Sequence, residues 1–474
     1  MGVGPLHSID EVAEGNEVME KRGRQDGITT EQAKGRTLRW QPLLPNLRRV
    51  NEAARRSGRT RFTALLHHVD VAALERAFRR QRRAASPGVD GVTVAEYEQA
   101  LESNLQHLHD RVHSGQYWPQ PVRRTYIPKG DGGQRPLGIP ALEDKIVQGA
   151  VAEVLNAVYE ADFLGFSYGF RPGRSPHTAL ATLEQALMTQ RVNWVLDLDI
   201  RTFFDSVDPG WLMRMLGHRI ADPRVLRLIE RWLRAGVLES GRWEPGEMGV
   251  PQGSGISPIL ANVFLHYVVD LWTHQWRRHR AAGQVIVCRY ADDLVIGCQH
   301  GTDGRELLGA LTQRLAQFGL SVHEGKTRLI VFGRFAAERR AAAGQRRPET
   351  FNFLGFTHYC GKTRNGRFMV KRKTQATRLV RKLKALREDM LRRMHTPVRE
   401  QHRWLCQVLR GHYQYYGVIF NYSSLRAFKD CVVRLWRKTL GKRSQKGRVT
   451  WASYSRLLAA LPLPEPVIHQ AWHR

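Results

Sequence analysis

The stretch "RYADDLVIG", residues 289 to 297, sets two adjacent carboxylates, Asp292 and Asp293, inside a segment that otherwise reads as buried strand. The runs on either side, "QVIVCRY" and "LVIGC", are short, apolar and rich in β-branched residues, as strands are. In one straight strand neighbouring side chains point to opposite faces, so the two carboxylates would diverge. A tight hairpin at the pair lets them converge on one side. Upstream, "WVLDLDI" (Trp194 to Ile200) alternates so that Asp197 and Asp199 share one face while Leu196, Leu198 and Ile200 line the other. A sheet that pairs these strands therefore brings a third carboxylate to the hairpin tip. Between them, "PILANVFLHYVVDLW" (Pro258 to Trp272) has helical length and apolar content, with Pro suited to the first turn. Strand, helix and hairpin together predict an α+β fold.

On the residues alone the pair has two readings. Asp is common in hairpin turns, which makes ordinary turn residues one of them. The other is a metal site. Clustered carboxylates repel, and ionised groups left unpaired in a partly desolvated site cost several kcal/mol apiece, so a cation must compensate. Oxygen-only ligands on a rigid sheet suit Mg²⁺. Two such ions about 3.5–4 Å apart would activate an attacking hydroxyl and steady a leaving oxygen in phosphoryl transfer.

The chain has 474 residues, 74 Lys+Arg against 44 Asp+Glu, and a formal net charge of +30. Its 42% hydrophobic content supports folded domains rather than disorder throughout. A charge of this sign favours a polyanionic partner. Residues 361–474 hold 27 Lys+Arg and 5 Asp+Glu, so +22 of the total lies in the last quarter. No uninterrupted apolar run approaches the roughly 20 residues that cross a bilayer, and charged residues stand where a signal peptide would have its apolar core. A soluble protein of the cytoplasm or nucleoid is the expectation, without a membrane partner. The five cysteines are far apart and form no C-x-x-C pair, which argues against zinc ribbons and a disulfide framework and leaves buried thiols.

Residues 1–60 are polar and weakly periodic, and read as a loosely ordered arm, either a plain tail or an RNA-contacting one. From Arg61 the apolar spacing of Phe62, Leu65, Leu66, Val69, Val71, Leu74 and Phe78 predicts helices, broken by the turn-like "SPGVDG" at 86–91. The strand signal fades after about residue 365. Leu379, Leu383, Leu386, Met390 and Met394 then recur at steps of three and four, giving an amphipathic helix crowded with Arg378, Arg381, Lys382, Lys384, Arg387, Arg392 and Arg393. That surface is a solvated basic face or a phosphate-facing one, and the shortage of acidic residues favours the second.

Seven ordered blocks make the chain resemble the group II intron-encoded reverse transcriptase/maturase family over roughly residues 61–460. They are "SPGVDGVT" (86–93), "YIPKGDGGQRPLGIPALEDK" (126–145), "SYGFRPGRSPHTAL" (167–180), "LDIRTFFDSVD" (198–208), "GVPQGSGISPILANVFL" (249–265), "RYADDLVI" (289–296), and "GLSVHEGKTRLI" with "FNFLGF" (319–330 and 351–356). The resemblance implies a right-hand polymerase: an N-terminal arm (1–60), fingers and an antiparallel palm sheet backed by helices (61–360), an all-helical basic thumb or maturase domain (361–440) and a basic C-terminal segment (441–474). It implies Asp199, Asp292 and Asp293 as catalytic residues and ligands of two Mg²⁺ ions, with Asp197 structural. It places Lys129 and Arg135 on the triphosphate of a dNTP, Phe204 as an aromatic gate against the sugar 2′-hydroxyl, Gln252 and Gly253 beside the nascent pair, and Lys326 near the leaving pyrophosphate. Taken alone, Phe204 also reads as core packing, and Lys129, Arg135 and Lys326 as surface charges. RNA contacts are expected from Arg378, Arg381, Lys382, Arg392 and Arg393, and from Lys442 and Arg443 in "GKRSQKGRVT". Tyr413, Tyr415, Tyr416 and Tyr422 pack a bundle or stack on RNA.

The function so implied is RNA-directed DNA polymerisation, coupled to binding the intron RNA, assisting its splicing and copying it into DNA during retrohoming. The partners are the group II intron RNA, an RNA template with a DNA primer, and a DNA target site. The sequence ends at Arg474 without the cysteine pairs and His-Asn-His site of relatives that carry an endonuclease, so second-strand cleavage is not expected of it. Alternatives are a domesticated or host-defence reverse transcriptase, an RNA-binding splicing cofactor with little polymerase use, and an RNA-dependent RNA polymerase, against which Phe204 argues.

Overall fold

The computed structural model describes residues 44–128, 133–239, 242–244, 249, 253–444 and 449–469. The chain divides into two compact units. Among the described residues, the first comprises 44–186 and 194–329, and the second 187–193 and 330–469. The architecture is α+β, with antiparallel pairing dominating its sheets.

The first unit is built around the helix Leu142–Tyr159, where Ile146, Val147, Ala150, Val151, Leu155 and Val158 are fully buried. Gly149 lets the helix Val71–Arg79 approach closely, since a Cβ there would stand 3.1 Å from Cβ of Ala77. Asp70 caps that second helix by accepting from Ala73 N at 2.7 Å. Two sheets flank this helical core. One contains β1 (Val122–Pro128) and β2 (Gln134–Ile139), an antiparallel hairpin, with β4 (Val237–Glu239) parallel to β1 and β5 (Arg242–Glu244) outside it. The other, ordered β6-β7-β3-β8, joins β6 (Val285–Tyr290), β7 (Asp293–Cys298), β3 (Trp194–Asp199) and β8 (Arg328–Val331).

The alternation read in "WVLDLD" is realised. Leu196 and Leu198 are buried in one hydrophobic core with Leu260 and Phe264 of the helix Ser257–Leu265 and Leu307, Leu311 and Leu315 of the helix Gly301–Ala316, while Asp197 and Asp199, on the other face of the strand, are only half-buried. The helix predicted from Pro258 continues through a π-turn, His266–Asp270, into Leu271–His279.

In the second unit β9 (Thr350–Phe353), β10 (Phe356–Lys362) and β11 (Phe368–Thr374) form an antiparallel sheet ordered β11-β10-β9. It is followed by the helices Ala376–Arg392, Val398–Tyr416, Tyr422–Leu440 and Trp451–Ala460. Leu386, Met390, Leu405, Leu409, Phe428, Val432 and Trp436 make their common core. Asn421 clips strand to helix, accepting from Thr374 N at 2.8 Å and donating to Thr374 Oγ1 at 2.8 Å.

Two boundaries differ from expectation. The helix Pro45–Arg56 lies inside the segment read as a loose arm; its apolar face is only Leu47, Val50 and Ala54 among arginines, too sparse to stand out, and buried Asn51 anchors it by donating to Ala157 O at 2.8 Å. β11 extends past the point where the strand signal fades, because its "KRKT" end is basic and its pairing partner, β10, supplies the ladder that composition does not advertise.

Asp222 ties the start of the first unit to the helix Pro223–Arg234. Its carboxylate accepts from Leu65 N at 2.8 Å, Leu66 N at 3.0 Å and Arg224 N at 3.0 Å. Burial by itself would raise its pKa, but the hydrogen bonds from Arg224 and from the backbone of Leu65 and Leu66 outweigh it and bring it down to about 2. A carboxylate depressed in the folded state stabilises fully above its unfolded pKa of about 4, and this contribution is lost as pH falls toward 2. Urea titrations across that window should show wild-type stability falling with pH and Asp222→Asn, less stable at neutral pH, falling less steeply; equal slopes would contradict the assignment.

Candidate active site

Strand register places the carboxylates. β3 and β7 run antiparallel with Asp199 directly opposite Asp293, Leu198 opposite Leu294 and Asp197 opposite Val295. Residues facing each other across an antiparallel pair project to the same side with Cβ atoms roughly 4.5–5.5 Å apart. β6 and β7 close a hairpin in which Tyr290 pairs with Asp293, leaving Ala291 and Asp292 as the two-residue turn. Ala291 takes φ +56°, in the left-handed region, as a tight hairpin of this kind demands. Asp292 is thus in the turn and Asp293 begins the returning strand.

Lys326 reaches this edge. Its Nζ lies 3.0 Å from Asp199 Oδ2. The segment carrying it is laced along β3: His323 N donates to Asp199 O at 2.8 Å and Asp199 N donates to Thr327 Oγ1 at 3.3 Å. Asp197 faces Arg328, whose NH2 stands 3.8 Å from Oδ2. Burial pushes the Asp197 carboxyl up to about 6, with Arg328 acting against the rise and Asp199 adding to it. Asp199, Asp292 and Asp293 offer a hard, oxygen-only donor set at one sheet edge, which fits Mg²⁺ by ligand type. Among the described residues no three His, Cys, Asp or Glu side chains are drawn together into a ready-made metal-binding group.

Phe203 is buried against Phe264, whereas Phe204 is half-buried, edge-on to Phe203 with ring centroids 5.3 Å apart. Core packing therefore claims the first ring and leaves the second partly accessible. Gly253 has φ +106°, and a Cβ on it would stand 2.6 Å from Gly138 O of β2, so the loop presses backbone to backbone on that strand. The same loop is fastened to the central helix by Gln148, whose Oε1 accepts from Ser254 Oγ at 2.7 Å and Gly255 N at 3.2 Å. Arg135 lies on β2 opposite Ile127. Lys129 and Gln252 lie outside the described residues.

Arg378, Arg381 and Lys382 are exposed on the helix Ala376–Arg392. Arg392 pairs with Asp389, and Arg393 lies over the Trp404 ring, 5.0 Å from its centroid. Lys442 is exposed, whereas Arg443 donates to Met394 O at 2.7 Å and Thr396 O at 2.5 Å, closing the loop after that helix. Tyr413 is buried and donates to Pro464 O at 3.1 Å, Tyr415 donates to Leu354 O at 2.9 Å, and Tyr422 is exposed.

One constellation escaped the sequence reading. Arg289, 1% exposed, forms a buried ion pair with Asp270 directly beneath the hairpin turn, at 2.6 Å from Nε and 2.5 Å from NH2. The available signal was an arginine within the apolar run "VIVCRY" and an aspartate within the apolar helix "FLHYVVDLW", since charged residues are rarely fully buried unless paired.

Residues 127–358 match the family model described as reverse transcriptase (RNA-dependent DNA polymerase). Antiparallel sheet, carboxylate register and this match agree, and residues 127–358, just under half of the chain, are similar to the reverse transcriptase family. Within it the similarity runs to intron-encoded proteins. The chain is 41% identical over 170 residues to the group II intron-encoded protein LtrA of Lactococcus lactis subsp. cremoris, covering 36% of this chain and 27% of that protein. It is 38% identical over 241 residues to protein YkfC of Escherichia coli, covering 45% of this chain and 63% of that one. It is 32% identical over 130 residues to the mitochondrial nuclear intron maturase 3 of Arabidopsis thaliana, covering 27% and 18%. The chain thus spans less than two thirds of each of these relatives.

Gly253→Ala must place a methyl group against the Gly138 carbonyl at a φ that L-residues rarely adopt. It should destabilise the fold by about 1–3 kcal/mol in urea denaturation. Gly217→Ala, where no atom lies within 4 Å of the added carbon, should change stability by less than about 0.5 kcal/mol. Equal effects would show that the close approach is not real.

Proposed function

We propose that the protein is an RNA-directed DNA polymerase that binds a group II intron RNA, assists its splicing and copies it into DNA during retrohoming. The observation that carries the polymerase reading is the register that sets Asp199 opposite Asp293 with Asp292 in the adjoining turn. Mg²⁺, as two ions held by Asp199, Asp292 and Asp293, would supply activation of the primer 3′-hydroxyl and charge neutralisation at the leaving pyrophosphate.

The chain's own residues do the rest. The three carboxylates, two on paired strands and one in the two-residue turn that joins β6 to β7, hold their charge where a triphosphate and primer end must meet, so little reorganisation accompanies reaction. Lys326, seated against Asp199, offsets one of these negative charges and is within reach of a phosphate entering the same edge. Lys129 and Arg135 contribute further positive charge toward the triphosphate. Half-buried Phe204 sits against a fixed partner, Phe203, and so presents a rigid ring against a ribose 2′-hydroxyl. Gly253, next to Gln252, offers backbone without a side chain beside the nascent pair. The exposed Arg378, Arg381, Lys382, Arg392, Arg393 and Lys442 supply cationic surface to RNA backbone, with Arg443 holding their loop in place.

The maturase and retrohoming parts rest on the similarity to LtrA and to nuclear intron maturase 3 and on the basic second unit. The partners follow: intron RNA, an RNA template with DNA primer, dNTPs and a DNA target, in the cytoplasm or nucleoid. No helix among the described residues is long and apolar enough to cross a membrane.

Primer extension on an RNA template tests the polymerase. Asp292→Ala should slow it by about 10²–10³-fold, the scale of losing one preorganised electrostatic group; equal extension by mutant and wild type would overturn the site. Phe204→Ala should raise rNTP incorporation relative to dNTP. Splicing of the cognate intron at low Mg²⁺ should require the protein and survive Asp292→Ala, and splicing indifferent to added protein would reject the maturase role.

A further inference from the structure

We propose that Arg289 is a positioning residue for the reaction, holding the hairpin turn that presents Asp292 and Asp293 through a buried network with Asp270, Asn262 and Ser167. This rests on the polymerase reading above. A guanidinium has five N–H donors, and here every nitrogen is engaged. Nε donates to Asp270 Oδ1 at 2.6 Å; NH1 to Asn262 Oδ1 at 3.1 Å and to the turn carbonyl Ala291 O at 3.0 Å; NH2 to Asp270 Oδ2 at 2.5 Å and Ser167 Oγ at 2.7 Å. The contact with Ala291 O is the link that matters. It ties the one backbone carbonyl between Tyr290 and Asp292 to a group that cannot move without breaking four other bonds.

The partners converge from separate parts of the chain. Ser167 to Gly169 forms a rail beside the hairpin: Arg289 N donates to Phe166 O at 2.9 Å and Tyr168 N donates to Arg289 O at 2.8 Å. Asn262 joins rail and guanidinium, its Nδ2 donating to Gly169 O at 2.7 Å. A Cβ on Gly169 would stand 2.2 Å from Ala291 N, so the rail touches the turn itself. This gives a purpose to the "SYGF" block, which the chemistry of the carboxylates leaves unexplained.

The helix that supplies Asn262 and Asp270 is adapted to the task. Eight residues of regular α-helix advance two turns and about 80° more, which would set the two side chains on different faces. The π-turn His266–Asp270 absorbs an extra residue and takes back most of that rotation. Both side chains then reach one guanidinium. The pair is 0% and 1% exposed for Asp270 and Arg289, where a monodentate ammonium cannot replace a planar fork.

The test uses the full chain and two variants, Arg289→Lys and Asn262→Ala, with Leu311→Ala, a core truncation in the helix Gly301–Ala316 outside the network, as a control for stability alone. All are assayed well below their melting temperatures. A displacement of reacting groups by about 1 Å costs on the order of 100-fold. Arg289→Lys should therefore lower kcat for primer extension by about 100-fold with little change in KM for dNTP, and Asn262→Ala should do so to a lesser degree, while Leu311→Ala lowers Tm and keeps kcat. In hydrogen exchange, amides from Tyr290 to Leu294 should lose protection in Arg289→Lys and keep it in Leu311→Ala. Wild-type kcat in both network variants, or unchanged hairpin protection in Arg289→Lys, would overturn the proposal. An inactive wild-type protein would instead defeat the polymerase reading, and hydrogen exchange would still decide the role of Arg289.

Discussion

Asp199 and Asp293 face each other across one antiparallel ladder, and like charges so placed repel. Everything nearby can be understood as holding that unfavourable arrangement in place. Leu196 and Leu198 commit the other face of β3 to the core, so a slip of one residue would expose them and bury the carboxylates. Lys326 offsets part of the charge at Asp199, and Arg328 does the same for Asp197. The hairpin contributes a strained turn at Ala291. Strain of this kind persists only where the surroundings over-determine it, and it gathers at functional sites.

The buried ion pair beneath the turn belongs to the same pattern. Replacing such a pair by apolar residues is often neutral or stabilising, so stability alone gives a weak reason for Arg289 and Asp270 to be there. Their five-donor network has a geometric consequence instead: it joins the central sheet, the helix with the π-turn and the Ser167–Gly169 rail at a single point. Rigidity is thereby concentrated where the proposed chemistry needs it, on sheet and helix rather than on loops.

Much of this was legible in the sequence because it depends on local period. Alternation in "WVLDLD" and the two apolar arms around "ADD" predict the strands and their faces, and the structure realises both and sets Asp199 opposite Asp293. What local period cannot show is partnership at a distance. Ser167 meets Arg289 across 122 residues, and Asn262 and Asp270 share a target only because of a π-turn that no composition announces. The ion pair of Lys326 with Asp199 is of the same kind, set by how the segment 321–327 lies along β3. The helix Pro45–Arg56 and strand β11 were hidden because arginine and lysine dominate their composition while a few apolar or ladder contacts decide their structure.

The most direct measurement is a structure of the protein with an RNA template, a DNA primer and a non-hydrolysable dNTP in Mn²⁺, with anomalous scattering used to place the metal. Metal density should lie on the carboxylates of Asp199, Asp292 and Asp293, with the primer 3′ end and the α-phosphate beside it and the Arg289 to Ala291 hydrogen bond intact. Metal and nucleotide bound elsewhere, with these three carboxylates unengaged, would contradict it.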